Sequence, residues 1–205
     1  LKTSNNTSQK TLIIPYGSQT TKYRVPLART LRKKLNVIYI GALTQQKGIS
    51  YFFESLNIAA KEVELNTTII GNDYANGTNQ VLNSELKKHT WIASASHDKV
   101  IEHLLEADVL ILPSLAEAFG LVVSEALSTG TAVIVSENCG AADLVIHGFN
   151  GFIIPIRSAQ SIADILVDLY NDKEKLKALK NNALQTSYSN TWEAYAQGLI
   201  DAINY

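Results

Sequence analysis

The chain alternates short apolar runs with longer amphipathic stretches, and this alternation limits the folds open to it more than any other feature. Runs of five or six residues rich in β-branched side chains predict buried strands at 36–41, 67–71, 90–94, 108–112, 131–135 and 151–155. The stretches between and after them predict helices at 49–62, 79–88, 99–106, 119–129, 141–146, 159–170, 173–185 and 191–203. This order is typical of a parallel sheet with helices on both faces. We therefore expect an α/β fold, a doubly wound parallel sheet with C-terminal helices.

Length and composition suit one globular domain. The chain has 205 residues, 46% of them hydrophobic, which is enough to bury a core. Residues 1–35, including a basic and polar segment from Lys22 to Lys34, are predicted to form a leading linker. The domain is expected to span 36–186, with 187–205 as its closing helix. The chain has no methionine, which hints that it is a fragment of a longer protein.

The charge balance excludes some classes of partner. A formal net charge of −1 gives no electrostatic case for nucleic acid or an anionic membrane as the main partner, so any anion must be bound locally.

No apolar run approaches the roughly 18 residues that a membrane-spanning helix needs. The single cysteine, Cys139, excludes an internal disulfide and fits a reducing compartment.

The segment that follows the apolar run 108–112 is the strongest candidate for a ligand site. A proline, Pro113, ends the predicted strand, a short loop carries Glu117, and the helix after it carries Glu125. Ligands of open parallel sheets bind beyond the carboxyl ends of the strands, where a helix start offers free N–H groups to an anion. Gly120 allows a close approach to those N–H groups and also suits a tight turn. By position alone, Glu125 lies off the apolar stripe of that helix, which favours a solvated surface glutamate.

A second predicted strand end repeats this arrangement. The loop from Gly41 to Gly48 carries Lys47 just before a predicted helix. A lysine there can neutralise a diphosphate as a point charge. The alternative is a solvated lysine, which the helix dipole disfavours at that position.

Six segments resemble, in order and spacing, the C-terminal, nucleotide-sugar-binding domain of family 4 (group 1) retaining glycosyltransferases of GT-B architecture. They are Ile14–Gly17, Gly41–Gly48, Ala107–Ser114, Glu117–Glu125, Gly130–Ile134 and Ile146–Phe152. The resemblance covers nearly the whole chain. It implies a Rossmann-like domain that is one half of a GT-B fold.

The resemblance also implies roles for individual residues. Glu117 would contact hydroxyls of the donor sugar, Lys47 would neutralise the leaving nucleotide, and Glu125 would accept hydrogen bonds from the ribose hydroxyls. Further donor contacts are expected from Phe119, Gly120, Leu121, Val122, Gly41, Thr44 and Ile92. The substrate implied is a nucleoside diphosphate sugar such as a UDP-sugar, with no cofactor and no metal.

Three positions depart from the family pattern. Ala42 stands where the family usually has an arginine, so one cation of the expected diphosphate pair is absent. Tyr16 replaces an asparagine and His147 replaces an aspartate, which we interpret as hinge and turn variation.

The family's acceptor-binding N-terminal domain is absent from these residues, so the chain should bind a nucleotide sugar but transfer little by itself. The resemblance suggests cytoplasmic polysaccharide, cell-surface glycan or glycolipid synthesis, with peripheral contact at the inner face of the membrane through the missing domain. Two alternatives stay open. One is a non-catalytic, degenerate binding module, for which Ala42 is the best argument. The other is a sugar-nucleotide epimerase-type relative on the same scaffold.

Overall fold

The structure, a computed structural model, describes residues 3–6, 9–12, 14, 17, 33–74, 77–189 and 191–203. Most of the predicted leading linker, including Lys22 and Tyr16, lies outside the described residues. A short antiparallel hairpin of β1 (Thr3–Asn6) and β2 (Gln9–Leu12) precedes the main sheet. The sequence did not predict this hairpin.

The main sheet has six strands, and every neighbouring pair is parallel. The strands are β3 (Leu35–Ile40), β4 (Leu65–Ile70), β5 (Thr90–Ile92), β6 (Val109–Leu112), β7 (Ala132–Ser136) and β8 (Gly151–Ile154). Their order is β5-β4-β3-β6-β7-β8. The chain therefore builds outward from β3 in one direction and outward from β6 in the other, which makes the boundary between β3 and β6 the switch point of the sheet.

Seven α-helices and one short 3-10 helix connect or follow these strands within the described residues. They are α1 (Ile49–Ala59), α2 (Gln80–Leu86), α3 (His97–Glu106), α4 (Leu121–Ser128), the 3-10 helix (Gly140–Leu144), α5 (Ala159–Asn171), α6 (Lys173–Ser189) and α7 (Trp192–Ile203). The expected doubly wound α/β fold is confirmed. Helix α6 continues through Ser189, so a division of the chain after residue 186 cuts this helix.

The sheet carries apolar side chains on both faces, which explains why its central strands read as unbroken apolar runs. In β3, Val37 and Tyr39 pack with α1 and α5, whereas Ile38 faces the layer formed by α3 and α4. Strand β6 alternates in the same way, with all four of its residues buried. The strand interior is therefore structural, and chemistry is confined to the loops at the strand ends.

A buried ion pair holds the amino edge of the sheet. Lys180 of α6 donates from Nζ to Asp108 Oδ1 at 2.6 Å and to the carbonyl of Ala107 at 2.9 Å. The other carboxylate oxygen of Asp108 accepts from the backbone N–H of Asn36 at 3.0 Å. Asp108 and Lys180 are each only 7% exposed. This pair ties α6 to the start of β6, at the edge opposite the loops that carry the candidate site.

Several helix boundaries differ from the sequence prediction by a few residues, and two of these differences lie beside the candidate site. The helix expected from Phe119 begins at Leu121, because Gly120 has φ of 90° and ends the preceding loop in the left-handed conformation. The helix expected at 141–146 is the 3-10 helix Gly140–Leu144. Among the described residues, no helix combines the length and the apolar character needed to cross a membrane.

Candidate functional site

The candidate site lies at the switch point of the sheet. The loop that follows β3 carries Lys47, and the loop that follows β6 carries Glu117. Because β3 and β6 are parallel neighbours, both loops emerge at the same edge, where open α/β sheets bind ligands. The Lys47 ammonium and the Glu117 carboxylate form an ion pair there. Their side chains are 28% and 13% exposed, so a ligand can reach the pair while much of it is shielded from water.

The loops of this edge are joined mainly through backbone groups. The N–H of Leu115 donates to the carbonyl of Gln46 at 2.8 Å, which joins the loops after β6 and β3. On the other side, Glu117 N donates to Asn138 O at 3.1 Å and the Asn138 side chain donates to Leu115 O at 3.0 Å. The loop after β7 is thereby attached as well. Glu117 is held by its backbone on one side while its carboxylate remains directed to Lys47.

Gly48 makes the contact between two of these loops possible. It is the N-cap of α1, with φ of 73°, and the space that a side chain would occupy there is filled by Pro113. A Cβ at this position would overlap the Pro113 carbonyl. The glycine therefore sets how closely Lys47 approaches the loop of Glu117.

The first turn of α4 supplies N–H groups beside the ion pair. Helix geometry leaves the first N–H groups, including those of Leu121 and Val122, without carbonyl partners in the helix. Leu121 is 50% exposed, so this end of α4 is open to solvent. Phe119 is partly buried, and its carbonyl accepts from Ala141 N at 2.7 Å, which orients the loop. The arrangement combines a helix N-terminus, a lysine and a carboxylate, which suits an anion that also carries hydroxyl groups.

The remaining predicted contacts lie at the same edge. Gly41 directly follows β3 and donates its N–H to Ile70 O at 2.9 Å. The Thr44 hydroxyl lies 3.4 Å from the N–H of Lys47. Ile92 is the last residue of β5, two strands from β3, and its side chain packs with the apolar layer under α3 and α4. All the predicted site residues are thus at or beside the carboxyl edge of the sheet.

Tyr39, a buried residue of β3, stabilises the loop that follows this strand, and the sequence did not predict this contact. Its hydroxyl donates to Ala42 O at 2.8 Å and holds the loop that carries Lys47. Burial raises the pKa of Tyr39 well above its usual range, and the negative charge of Glu117 acts in the same direction. Burial likewise raises the pKa of the Cys139 thiol to about 11, and the Glu117 charge adds to the effect. The hydroxyl and the thiol are therefore neutral supports of the site at neutral pH.

His97 is a second residue that the sequence did not reveal. Glu125 lies about one turn into α4, and its Oε1 is 3.1 Å from Nε2 of His97, the first residue of α3. Glu125 is therefore not simply a solvated glutamate. No sequence pattern links two residues 28 positions apart on different helices, so only the packing of α3 on α4 identifies this contact.

The two departures that the structure describes have distinct settings. Ala42 follows Gly41 in the loop after β3, and its carbonyl is the one bound by Tyr39. His147 lies in an exposed turn, where its Nδ1 accepts from Ile153 N at 3.2 Å. The hydrogen bond of His147 therefore stabilises the turn.

A groove of about 500 Å³ lies elsewhere, between α1 and α2. Apolar side chains such as Phe53, Val81 and Leu82 line it, and neither Lys47 nor Glu117 does. Its charged lining residues are Glu54, Lys61 and Glu85, so the groove is separate from the Lys47–Glu117 pair.

Comparison with known proteins identifies the family of the chain. The family described as "Glycosyl transferases group 1" matches residues 27–186. The uncharacterized glycosyltransferase MJ1178 of Methanocaldococcus jannaschii is 26% identical over 164 residues, which are 79% of this chain and 46% of that protein. The chain spans about half the length of the curated relatives it matches.

Two solved structures share the fold. The C-terminal domain of a group 1 glycosyl transferase, LpcC of Francisella tularensis, aligns with a TM-score of 0.68 at 21% identity, over 76% of this chain and 85% of that one. The Anabaena protein Alr3699/HepE, solved in complex with UDP-glucose, aligns with a TM-score of 0.71 at 20% identity, over 83% of this chain and 49% of that one.

Proposed function

The chain belongs to the group 1 glycosyltransferases, and from this premise we propose that it is the donor-binding half of a retaining enzyme that transfers a sugar from a nucleoside diphosphate sugar to an acceptor. Its fold is one half of the GT-B architecture. The observation that carries the proposal is the Lys47–Glu117 pair beside the N-terminus of α4, at the switch point of the sheet. The acceptor would be held by a further domain, and the enzyme would act in cytoplasmic synthesis of a cell-surface glycan or glycolipid.

Each group of the site has a task that fits its chemistry. Lys47 and the first N–H groups of α4 bind the diphosphate and stabilise the charge that develops as the nucleotide leaves. Glu117 accepts hydrogen bonds from hydroxyls of the donor sugar, and Glu125 accepts them from the ribose hydroxyls. Gly120 and Gly41 keep the backbone accessible, while Phe119, Thr44 and Ile92 border the phosphates and the base. A carboxylate next to a lysine suits a substrate that places hydroxyls next to a phosphate.

Titration calorimetry with UDP, GDP and ADP tests donor binding directly. We expect at least one of them to bind the chain. The Lys47→Ala variant should lose about 1.5–3 kcal/mol of binding free energy, the range for a hydrogen bond to a charged group, or about 10- to 140-fold in Kd. Lys88→Ala is the matched control, because Lys88 forms an exposed ion pair with Glu85 at 2.8 Å just beyond the last turn of α2.

Glu117→Gln tests the role of the sugar. UDP alone should bind this variant at least as well as the unchanged chain, because Glu117→Gln removes the negative charge that pairs with Lys47 and leaves the lysine available to the phosphates. A UDP-sugar should lose the advantage that its hydroxyls provide. Turnover in the full-length protein should fall far more than stability does.

A non-catalytic binding module is the second candidate, and Ala42 is the observation that favours it. With one cation of the usual pair absent, a degenerate site would hold diphosphates weakly. Failure of UDP, GDP and ADP all to bind would reject the donor-binding proposal. Binding without any transfer by the full-length protein, across several donors and acceptors, would favour the module.

A further inference from the structure

His97 lies where it can control the carboxylate that we assign to the ribose. Its Nε2 is 3.1 Å from Glu125 Oε1, and the two residues belong to different helices that pack on the same face of the sheet. The His97 side chain is 54% exposed and that of Glu125 is 25% exposed. The pair is therefore open to a ligand on one side, and Glu125 is the more shielded member.

The chemistry of the pair fixes the position of one proton. A carboxylate only accepts hydrogen bonds, so Nε2 of His97 must carry the hydrogen, whether the ring is neutral or charged. That hydrogen bond occupies one acceptor position of Oε1. The second position of Oε1 and both positions of Oε2 remain for a ligand.

A vicinal diol needs two acceptors held in a fixed relation to each other. A glutamate side chain on a helix surface has three rotatable bonds, and ordering them on binding has an entropic cost. A partner that already holds the carboxylate in the unbound protein removes part of that cost, which is the general effect of preorganisation. His97 is the residue that holds Oε1.

We propose that His97 is a positioning residue for the nucleotide: it orients the Glu125 carboxylate toward the two ribose hydroxyls and so makes the site select ribonucleotides over 2′-deoxyribonucleotides. This inference rests on the proposed function. The selection arises because a 2′-deoxyribose leaves one oriented acceptor of Glu125 without its donor, and an unpaired acceptor in a shielded site is unfavourable.

The test compares UDP with 2′-deoxy-UDP, or the corresponding pair for whichever base binds best. In the unchanged chain we expect UDP to bind on the order of tenfold more tightly. His97→Ala should weaken UDP several-fold and 2′-deoxy-UDP less, so that the ratio of the two Kd values falls. His97→Gln places an amide donor near the same position and should restore most of the ratio. His103→Ala, at the other end of α3, is the matched control and should leave the ratio unchanged.

A second measurement separates positioning from a structural role. In a Glu125→Ala background, His97→Ala should change neither Kd, because His97 acts through that carboxylate. Thermal unfolding should show little loss of stability for the single variant, given the exposure of His97. Equal weakening of both nucleotides by His97→Ala, or an unchanged ratio, would overturn the inference while leaving the proposed function standing. If the unchanged chain binds no nucleoside diphosphate, the proposed function and this inference both fail.

Discussion

Replacing Gly48 by alanine should open the site by separating its two principal loops. The position has φ of 73°, and the left-handed conformation is unfavourable for alanine by about 1–2 kcal/mol relative to glycine. The new methyl group would also have to move by about 1 Å away from the Pro113 carbonyl before reaching an allowed separation. Overpacking of this kind costs about 1–3 kcal/mol. We therefore expect the free energy of unfolding to fall by about 2–5 kcal/mol.

Gly148→Ala is the matched control for the conformational part of this effect. Gly148 has φ of 77°, nearly that of Gly48, but a Cβ there would meet no atom within 4 Å. Urea unfolding of both variants should show the smaller loss, about 1–2 kcal/mol, for Gly148→Ala. Calorimetric titration with a nucleoside diphosphate should show at least a tenfold weaker Kd for Gly48→Ala and no change for Gly148→Ala, because only Gly48 sets the approach of Lys47 to Glu117.

Two results would refute this reasoning. Equal losses of stability in the two variants would mean that the contact with Pro113 contributes nothing beyond the backbone conformation. An unchanged nucleotide affinity in Gly48→Ala would mean that the separation of the loops does not control the position of Lys47.

Three further predictions concern other parts of the molecule. Lys180→Met leaves the buried Asp108 carboxylate without its charged partner and should lower the free energy of unfolding, measured in urea, by about 3–5 kcal/mol. Adding Asp108→Asn should recover part of that loss. A loss below about 1 kcal/mol would contradict the burial of the pair. Burial lowers the pKa of His89, so the unfolded chain takes up a proton at a higher pH than the folded chain, and the free energy of unfolding should fall as the pH drops below about 6.5. His89→Phe keeps the stacking on Phe53 and should flatten that part of the stability profile. An identical profile for the variant would contradict the role of His89. With a thiol pKa of about 11, Cys139 of the folded chain should react with iodoacetamide at pH 8 on the order of 100-fold more slowly than a cysteine peptide. Unfolding in urea should remove this difference, and rapid labelling of the folded protein would contradict the prediction.

The fold was predictable because each strand carries its own signal. The central strands are buried on both faces, so they read as apolar runs, and the alternation with helices indicates parallel pairing. The helix start at Leu121 was missed by two residues, because Phe119 continues the apolar spacing of α4 while Gly120 adopts a conformation that ends the loop. Periodicity records which face is buried and does not record where the backbone turns.

The candidate site was predictable in its parts that lie directly after strands. Lys47 and Glu117 each follow a buried strand, and their ion pair results from β3 and β6 being neighbours. The supports contributed by Tyr39 and His97 could not be read from the chain. One is a residue inside a strand, and the other begins a helix whose packing partner is fixed only when the layers assemble.

The two ends of strand β6 lie in chemically different surroundings. Its four residues span about 13 Å, with the Asp108 ion pair before them and the Pro113 loop after them. Substitutions at that distance, with no shared partners, usually have additive effects on stability. Substitutions at the amino edge can therefore change stability without altering the candidate site at the carboxyl edge. Differences around Lys180 among related proteins would then carry no information about what the candidate site binds.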